Sequence, residues 1–166
     1  MLQNVNGYIN EGEFVVLLGK SGSGKSTLLN LISGIDEPDS GDIIFNNTSL
    51  TQLSEQKRTL FRRRNIGFVF QTFNLIQTLT VHENLLLPLE LNRLMDDSPN
   101  EKIVDLLEQL GIAERAEYYP DRLSGGEQQR VAIARAYAVQ PKILFADEPT
   151  GNLDQVTGKH IIDLLF

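Results

Sequence analysis

The stretch "GKSGSGKST", residues 19 to 27, limits what this chain can fold into more than any other. It matches G-x-x-x-x-G-K-[ST] in full, between an apolar run and a helical pattern. The run "EFVVLLG" (13 to 19) ends in glycine and predicts a strand buried on both faces. "KSTLLNLISG" (25 to 34) predicts a helix stopped by Gly34, with "DEPDSG" as the turn after it. Glycines let successive N–H groups turn inward at a helix start, where the helix dipole favours a phosphate. Gly19, Lys20, Ser21, Gly22, Ser23, Gly24, Lys25, Ser26 and Thr27 are therefore expected to bind nucleotide phosphates. Within them Lys25 is suited to reach the β- and γ-phosphates, and Ser26 to put its hydroxyl on Mg²⁺. A glycine-rich turn with no ligand is the alternative, and the agreement of strand, motif and helix weighs against it.

Further along, "DIIFNN" (42 to 47) reads as a strand into a turn, "SEQKRTLFRR" (54 to 63) as a short helix and "NIGFVFQ" (65 to 71) as an apolar strand. "TVHENLLLPLELNR" (80 to 93) is expected to be helical with a kink at Pro88. "NEKIVDLLEQLG" (100 to 111) sets Ile103, Leu106, Leu107 and Leu110 on one helical face and ends on glycine. Helix is expected again from about Gly126 to Val139, a buried strand over "KILFADEP" (142 to 149) and a last helix in "QVTGKHIIDLLF". Strands at both ends of a helical insertion make an α/β fold with a mostly parallel sheet. The parts are 1–71 with the phosphate loop, 72–139 as the helical insertion and 140–166 as a core strand with the start of a helix, within one domain.

Two carboxylates, Asp147 and Glu148, close the apolar "ILFADEP" strand, where open α/β sheets keep their ligand sites. Asp147 suits a water-mediated hold on Mg²⁺, and Glu148 suits polarising a water for attack on the γ-phosphate. A solvated loop is the plain alternative. Gln71, ending "FVFQ", is ordinary alone; beside the other two groups its amide could ligate Mg²⁺ or accept from water. His82 and His160 lie in helical stretches and read as surface histidines.

"LSGGEQQR" (123 to 130) has Ser124 and Glu127 in the S-x-x-E spacing of a capping box. A capping box does not need Gly125 and Gly126. A helix start without side chains allows close approach by an anion, and the chain's own nucleotide already has a loop. The second anion then comes from another copy, which makes the stretch a statement about pairing.

Composition excludes more than it selects. A net charge of −7 argues against a general nucleic-acid binder. The basic cluster Lys57, Arg58, Arg62, Arg63 and Arg64 reads as a solvated helix face, a partner contact being the lesser alternative. No apolar run is long enough to cross a bilayer, and "MLQNVNGYIN" lacks the basic and apolar regions of a secretion signal. The chain contains no cysteine, so disulfides and thiolate metal sites are out, which fits the cytosol.

Taken together, "GKSGSGKST", Gln71, "LSGGEQQR", "ILFADEP" and "GNLD" resemble, in order and spacing, the nucleotide-binding domain of ABC transporters. "FVFQTFNLIQTLTVHENLLLPL" and "DEPTGNLD" look most like the lipoprotein-releasing and macrolide-exporting branch. The resemblance implies a P-loop NTPase that hydrolyses ATP with Mg²⁺. It implies catalytic roles for Glu148, Gln71 and Lys25, and metal contacts from Ser26, Gln71 and Asp147. Leu123, Ser124, Gly125, Gly126, Glu127 and Gln128 would contact ATP bound to the opposite subunit, and Asp154 would lie in the loop crossing the dimer interface. The implied partners are a second nucleotide-binding domain, the same or different, and a transmembrane permease facing the helical insertion. The implied place is the cytoplasmic face of the cell membrane, and nucleic acid is not an expected partner.

Two departures stand out. Only 18 residues precede Gly19, and Tyr8 is too close to be the family's adenine-stacking aromatic. Only 12 residues follow Asp154, so the region of the family's switch histidine is missing, and His160 comes too early. The chain looks clipped at both ends, with ATP binding expected and turnover weak. A poorly catalytic nucleotide-binding module is thus the second reading. A chromosome-maintenance ATPase would need long coiled coils between Lys25 and Ser124, which are only 99 residues apart without sustained heptads.

Overall fold

The computed structural model describes residues 2–93 and 99–150. They belong to two compact units, residues 1–54 and 55–166. Asp154, His160 and the helix expected after Asp154 lie outside the described residues.

In the first unit, helix α1 (Lys25–Ile32) starts at Gly24 as the motif predicts. Strands β1 (Ile44–Phe45) and β2 (Thr48–Ser49) form a hairpin in antiparallel register. Its two-residue turn, Asn46 and Asn47, has φ of 44° and 63°. Asparagine tolerates these angles, which match the turn to the twist of the strands. The strand expected at 13–19 is not present. Residues 14–18 take no regular structure and are exposed, Leu18 by 90% and Phe14 by 62%. Apolar composition favours burial, but a strand also needs a neighbour to complete its hydrogen bonds. The two strands of this unit bond each other instead.

The second unit begins with α2 (Glu55–Asn65), which leads directly into β3 (Ile66–Val69). Helices α3 (Val81–Asn92), α4 (Pro99–Gln109) and α5 (Gly125–Ala138) follow before β4 (Ile143–Ala146). β3 and β4 pair in parallel, Phe68 opposite Phe145, so the helical insertion is the crossover between two parallel strands. α5 is the shared element. Val131, Ala132 and Ala134 join Val81, Leu85, Ile103 and Leu107 in a core of three helices. Ile133 and Ala136 pack with Val69 against the sheet. Apolar side chains on two of its faces let this helix be buried on both sides.

The face of α4 is as the spacing predicts: Ile103, Leu107 and Leu110 are buried, Leu106 is half-buried, and Gly111 ends the helix at φ 64°. α3 runs on through Pro88 as one helix. Its start is held by a capping box of Thr80 and Glu83, and its first N–H groups donate to Tyr118 O and Ala116 O. The basic cluster is not wholly a solvated face. Arg58 is only 6% exposed. Arg63 Nε donates to Asn92 Oδ1 at 3.2 Å, and Asn92 Nδ2 returns a bond to Arg63 O at 2.9 Å. Long aliphatic stems let these arginines lie along an apolar neighbour.

Buried Asn84 organises the segment before α3. Its Oδ1 accepts from Ile76 N, and its Nδ2 donates to the carbonyls of Ile76, Leu79 and Thr80. Asn84→Ala should cost about 2 kcal/mol, since it strands buried main-chain groups rather than just deleting a bond. Chemical denaturation measures this, and an unchanged midpoint would show that the segment re-forms its bonds elsewhere.

Candidate functional site

The phosphate loop of the first unit is shaped by its glycines. Gly24 caps α1 at φ 94°, in the left-handed region that side chains resist. A Cβ on Gly19 would come within 2.5 Å of Ser23 Oγ, so a side chain there would push the Ser23 hydroxyl aside. Lys25 Nζ donates to Gly19 O at 3.1 Å and to Lys20 O at 3.4 Å. An ammonium resting on carbonyls of its own loop needs only to exchange acceptors to meet a phosphate. No side chain caps α1, and Ser26 and Thr27 are exposed on its first turn. The loop thus fits an anion: donors, a helix start and room made by missing side chains.

In the second unit the carboxyl ends of β3 and β4 bring together residues far apart in sequence. Asp147 N donates to Val69 O at 3.0 Å and extends the parallel ladder by one bond. Glu148 then turns left-handed, at φ 46°. An L-residue in that region costs about 1 kcal/mol, and such strain collects at functional sites. Gln71 Nε2 donates to Glu148 Oε2 at 3.3 Å across 77 positions of sequence. Gln71 and Glu148 are exposed and Asp147 is half-buried.

The start of α5 is a complete capping box. Glu127 N donates to Ser124 Oγ at 3.3 Å, while Ser124 N and Ser124 Oγ donate to Glu127 Oε2 at 2.8 and 2.7 Å. The plain structural reading of "LSGGEQQR" is therefore correct, and it leaves Gly125 exposed. Gln128 Nε2 donates to Leu123 O, tying the helix to the segment before it. Arg115 takes the other carboxylate oxygen, its Nε 2.8 Å from Glu127 Oε1, and stacks over the Tyr118 ring at 5.0 Å. The bonds from Arg115, then Ser124, lower the Glu127 carboxyl to about 2, so it stays charged as the cap requires. Arg115 has no local signature in the sequence, and only the fold brings it to the helix start. His82 is half-buried on α3 and meets none of these residues in the bonds described, in keeping with a plain helical histidine.

Comparison with known proteins follows the same residues. The family profile described as ABC transporter matches residues 2–151. An ABC transporter ATP-binding protein of Mycobacterium tuberculosis, itself uncharacterised, is 56% identical over 166 residues, all of this chain and 67% of its own length. The bacitracin export ATP-binding protein BceA of Halalkalibacterium halodurans is 42% identical over 165 residues, 99% of this chain and 65% of BceA. Among solved structures, a dimeric ATP-binding cassette in a post-hydrolysis state with ADP and Pi aligns with a TM-score of 0.90 and 46% identity. That alignment covers 99% of this chain and 72% of the cassette.

Proposed function

The chain belongs to the ABC transporter family as an ATP-binding, ATP-hydrolysing domain, and from that membership we propose the roles its residues take. Gly19 to Thr27 hold the nucleotide phosphates, with Lys25 on the β- and γ-phosphates. Ser26, Gln71 and Asp147 are the residues that would hold Mg²⁺, each having an oxygen of the kind the ion prefers. The ion's contribution is to neutralise charge building on the transferred phosphoryl group. Glu148 takes the proton of the attacking water, and Gln71 steadies that carboxylate. The observation that carries the nucleotide part is the phosphate loop: Gly24 left-handed at the helix start and Lys25 Nζ turned onto the loop carbonyls.

Lys25→Ala tests it. ATP affinity should fall by about tenfold or more, because charge-assisted bonds to phosphate disappear. Titration with a fluorescent ATP analogue reads this, and unchanged affinity would remove Lys25 from the phosphates.

The working unit proposed is a pair of nucleotide-binding domains. Leu123 to Gln128 of one copy meet ATP on the other. A relative solved as a dimer with ADP and Pi supports the pairing. A permease receives the force through the helical part, residues 72–139, which sets the protein on the cytoplasmic face of the membrane. Among the described residues no helix is long and apolar enough to cross a membrane. The residues of "FVFQTFNLIQTLTVHENLLLPL" support membership of the lipoprotein-releasing and macrolide-exporting branch.

A further inference from the structure

The loop that follows Gln71 is held by an unusual partner. Phe73 and Asn74 are both left-handed, at φ 60° and 50°. Two adjacent L-residues in this conformation do not persist unless their surroundings enforce it. Asn74 N donates to Thr72 O at 2.6 Å, and Phe73 N donates to Phe70 O at 3.2 Å. The Phe73 side chain packs on the three-helix core. Thr72 Oγ1 donates to Asn74 Oδ1 at 2.9 Å, and from outside the turn Arg135 of α5 adds a further constraint. Its Nη1 donates to Asn74 O at 2.6 Å and its Nη2 to Phe73 O at 3.1 Å.

Arg135 is half-buried, and burial lowers its pKa. Among the described residues no carboxylate pairs with it. A guanidinium taken partly out of water and set on two carbonyls is a costly way to fill space, and an apolar side chain would pack there more cheaply. What it supplies is geometry. Its planar fork grips two consecutive carbonyls at a fixed separation, which a lysine ammonium cannot do. Arg135 also stands on the helix that begins with the Ser124 and Glu127 cap.

We propose that Arg135 is a positioning residue that clamps the Phe73–Asn74 turn, presents Gln71 to Glu148 and ties the Gln71 loop to the helix carrying "LSGGEQQR". This rests on the catalytic reading of Gln71 and Glu148 given above. The clamp makes the two ends of the mechanism one body: a shift of the α5 start carries the Gln71 loop with it.

The test combines Arg135→Lys, Gln71→Ala and the double variant. Arg135→Lys keeps the charge and loses the fork. Turnover should fall about tenfold with KM for ATP within about twofold, as expected when a reacting group is misplaced while the nucleotide is still held. The double variant should be no slower than Gln71→Ala alone, because the clamp acts through Gln71. Hydrogen exchange without nucleotide gives a readout apart from activity. Amides of residues 72–74 should exchange faster in Arg135→Lys, while those of α5 stay protected. Additive losses in the double variant, or unchanged exchange at 72–74, overturn the clamp and leave the site reading intact. If Gln71→Ala turns over like the parent, the Gln71 role fails and the clamp falls with it.

Discussion

Glu148→Gln is expected to slow ATP hydrolysis by roughly 10²–10⁴-fold, the usual worth of a positioned general base, while leaving ATP binding intact. The substitution separates chemistry from geometry. A glutamine carbonyl can still accept the bond that Gln71 Nε2 now gives Glu148 Oε2, so the juxtaposition survives. The left-handed turn at residue 148 is no worse for glutamine than for glutamate. What disappears is the ability to take a proton from water. With hydrolysis blocked and ATP retained, the paired state should accumulate as a dimer on a sizing column. Full turnover in the variant would dismiss Glu148 as the base. A species that stays monomeric with ATP bound while hydrolysis is blocked would count against the pairing and leave Glu148 as the base.

The largest effect on stability is expected at Gly67. It sits in β3, opposite Leu144. An added Cβ would lie 2.7 Å from Leu144 Cδ1, 2.9 Å from Ala136 O and 3.0 Å from Pro141 Cγ. The first of these can move at modest cost. The second cannot, because it is main chain at the end of α5, where the helix closes down on the sheet. Gly67→Ala should therefore cost about 3 kcal/mol, at the upper end for overpacking. In thermal unfolding that is a drop on the order of 10 °C. A variant as stable as the parent would mean that α5 can back away from β3.

Local chemistry was readable from the sequence, and contact between distant segments was not. The α4 face, the Ser124–Glu127 cap and the helix start at Gly24 follow from spacing within a few residues. The parallel crossover could be expected because apolar runs ending at Gln71 and Asp147 flank a helical stretch. The apolar run at 13–19 misled, because composition announces a wish for burial and says nothing about a hydrogen-bonding neighbour. Arg58 misled in the other direction: a charge in a basic run looks solvated until another element covers its stem. Arg135 shows the deeper limit. It meets carbonyls 61 and 62 positions earlier, and carbonyls are the same in every residue, so no letter in "TFN" marks them as its partners. Gly67 is unmarked for the same reason, since its close neighbours include a main-chain oxygen.

The cap at Ser124 has a consequence for how tightly a paired copy can be gripped. A hydroxyl owns one proton, and Ser124 lends its proton to Glu127 Oε2. On the proposed contact across the pair, an incoming phosphate competes for that same proton, while the bonds from Glu127 N to Ser124 Oγ and from Ser124 N to Glu127 Oε2 keep the cap itself closed. A hydrogen bond to a charged group contributes about 1.5 kcal/mol, which makes the grip roughly tenfold weaker than a free hydroxyl would give. Glu127 does not drift meanwhile, because Arg115 keeps its other oxygen. The carboxylate waits in place and reclaims the serine as the phosphate departs. The serine proton then acts as a self-resetting latch on a helix start that stays capped, and its return to Glu127 helps to eject what it had held.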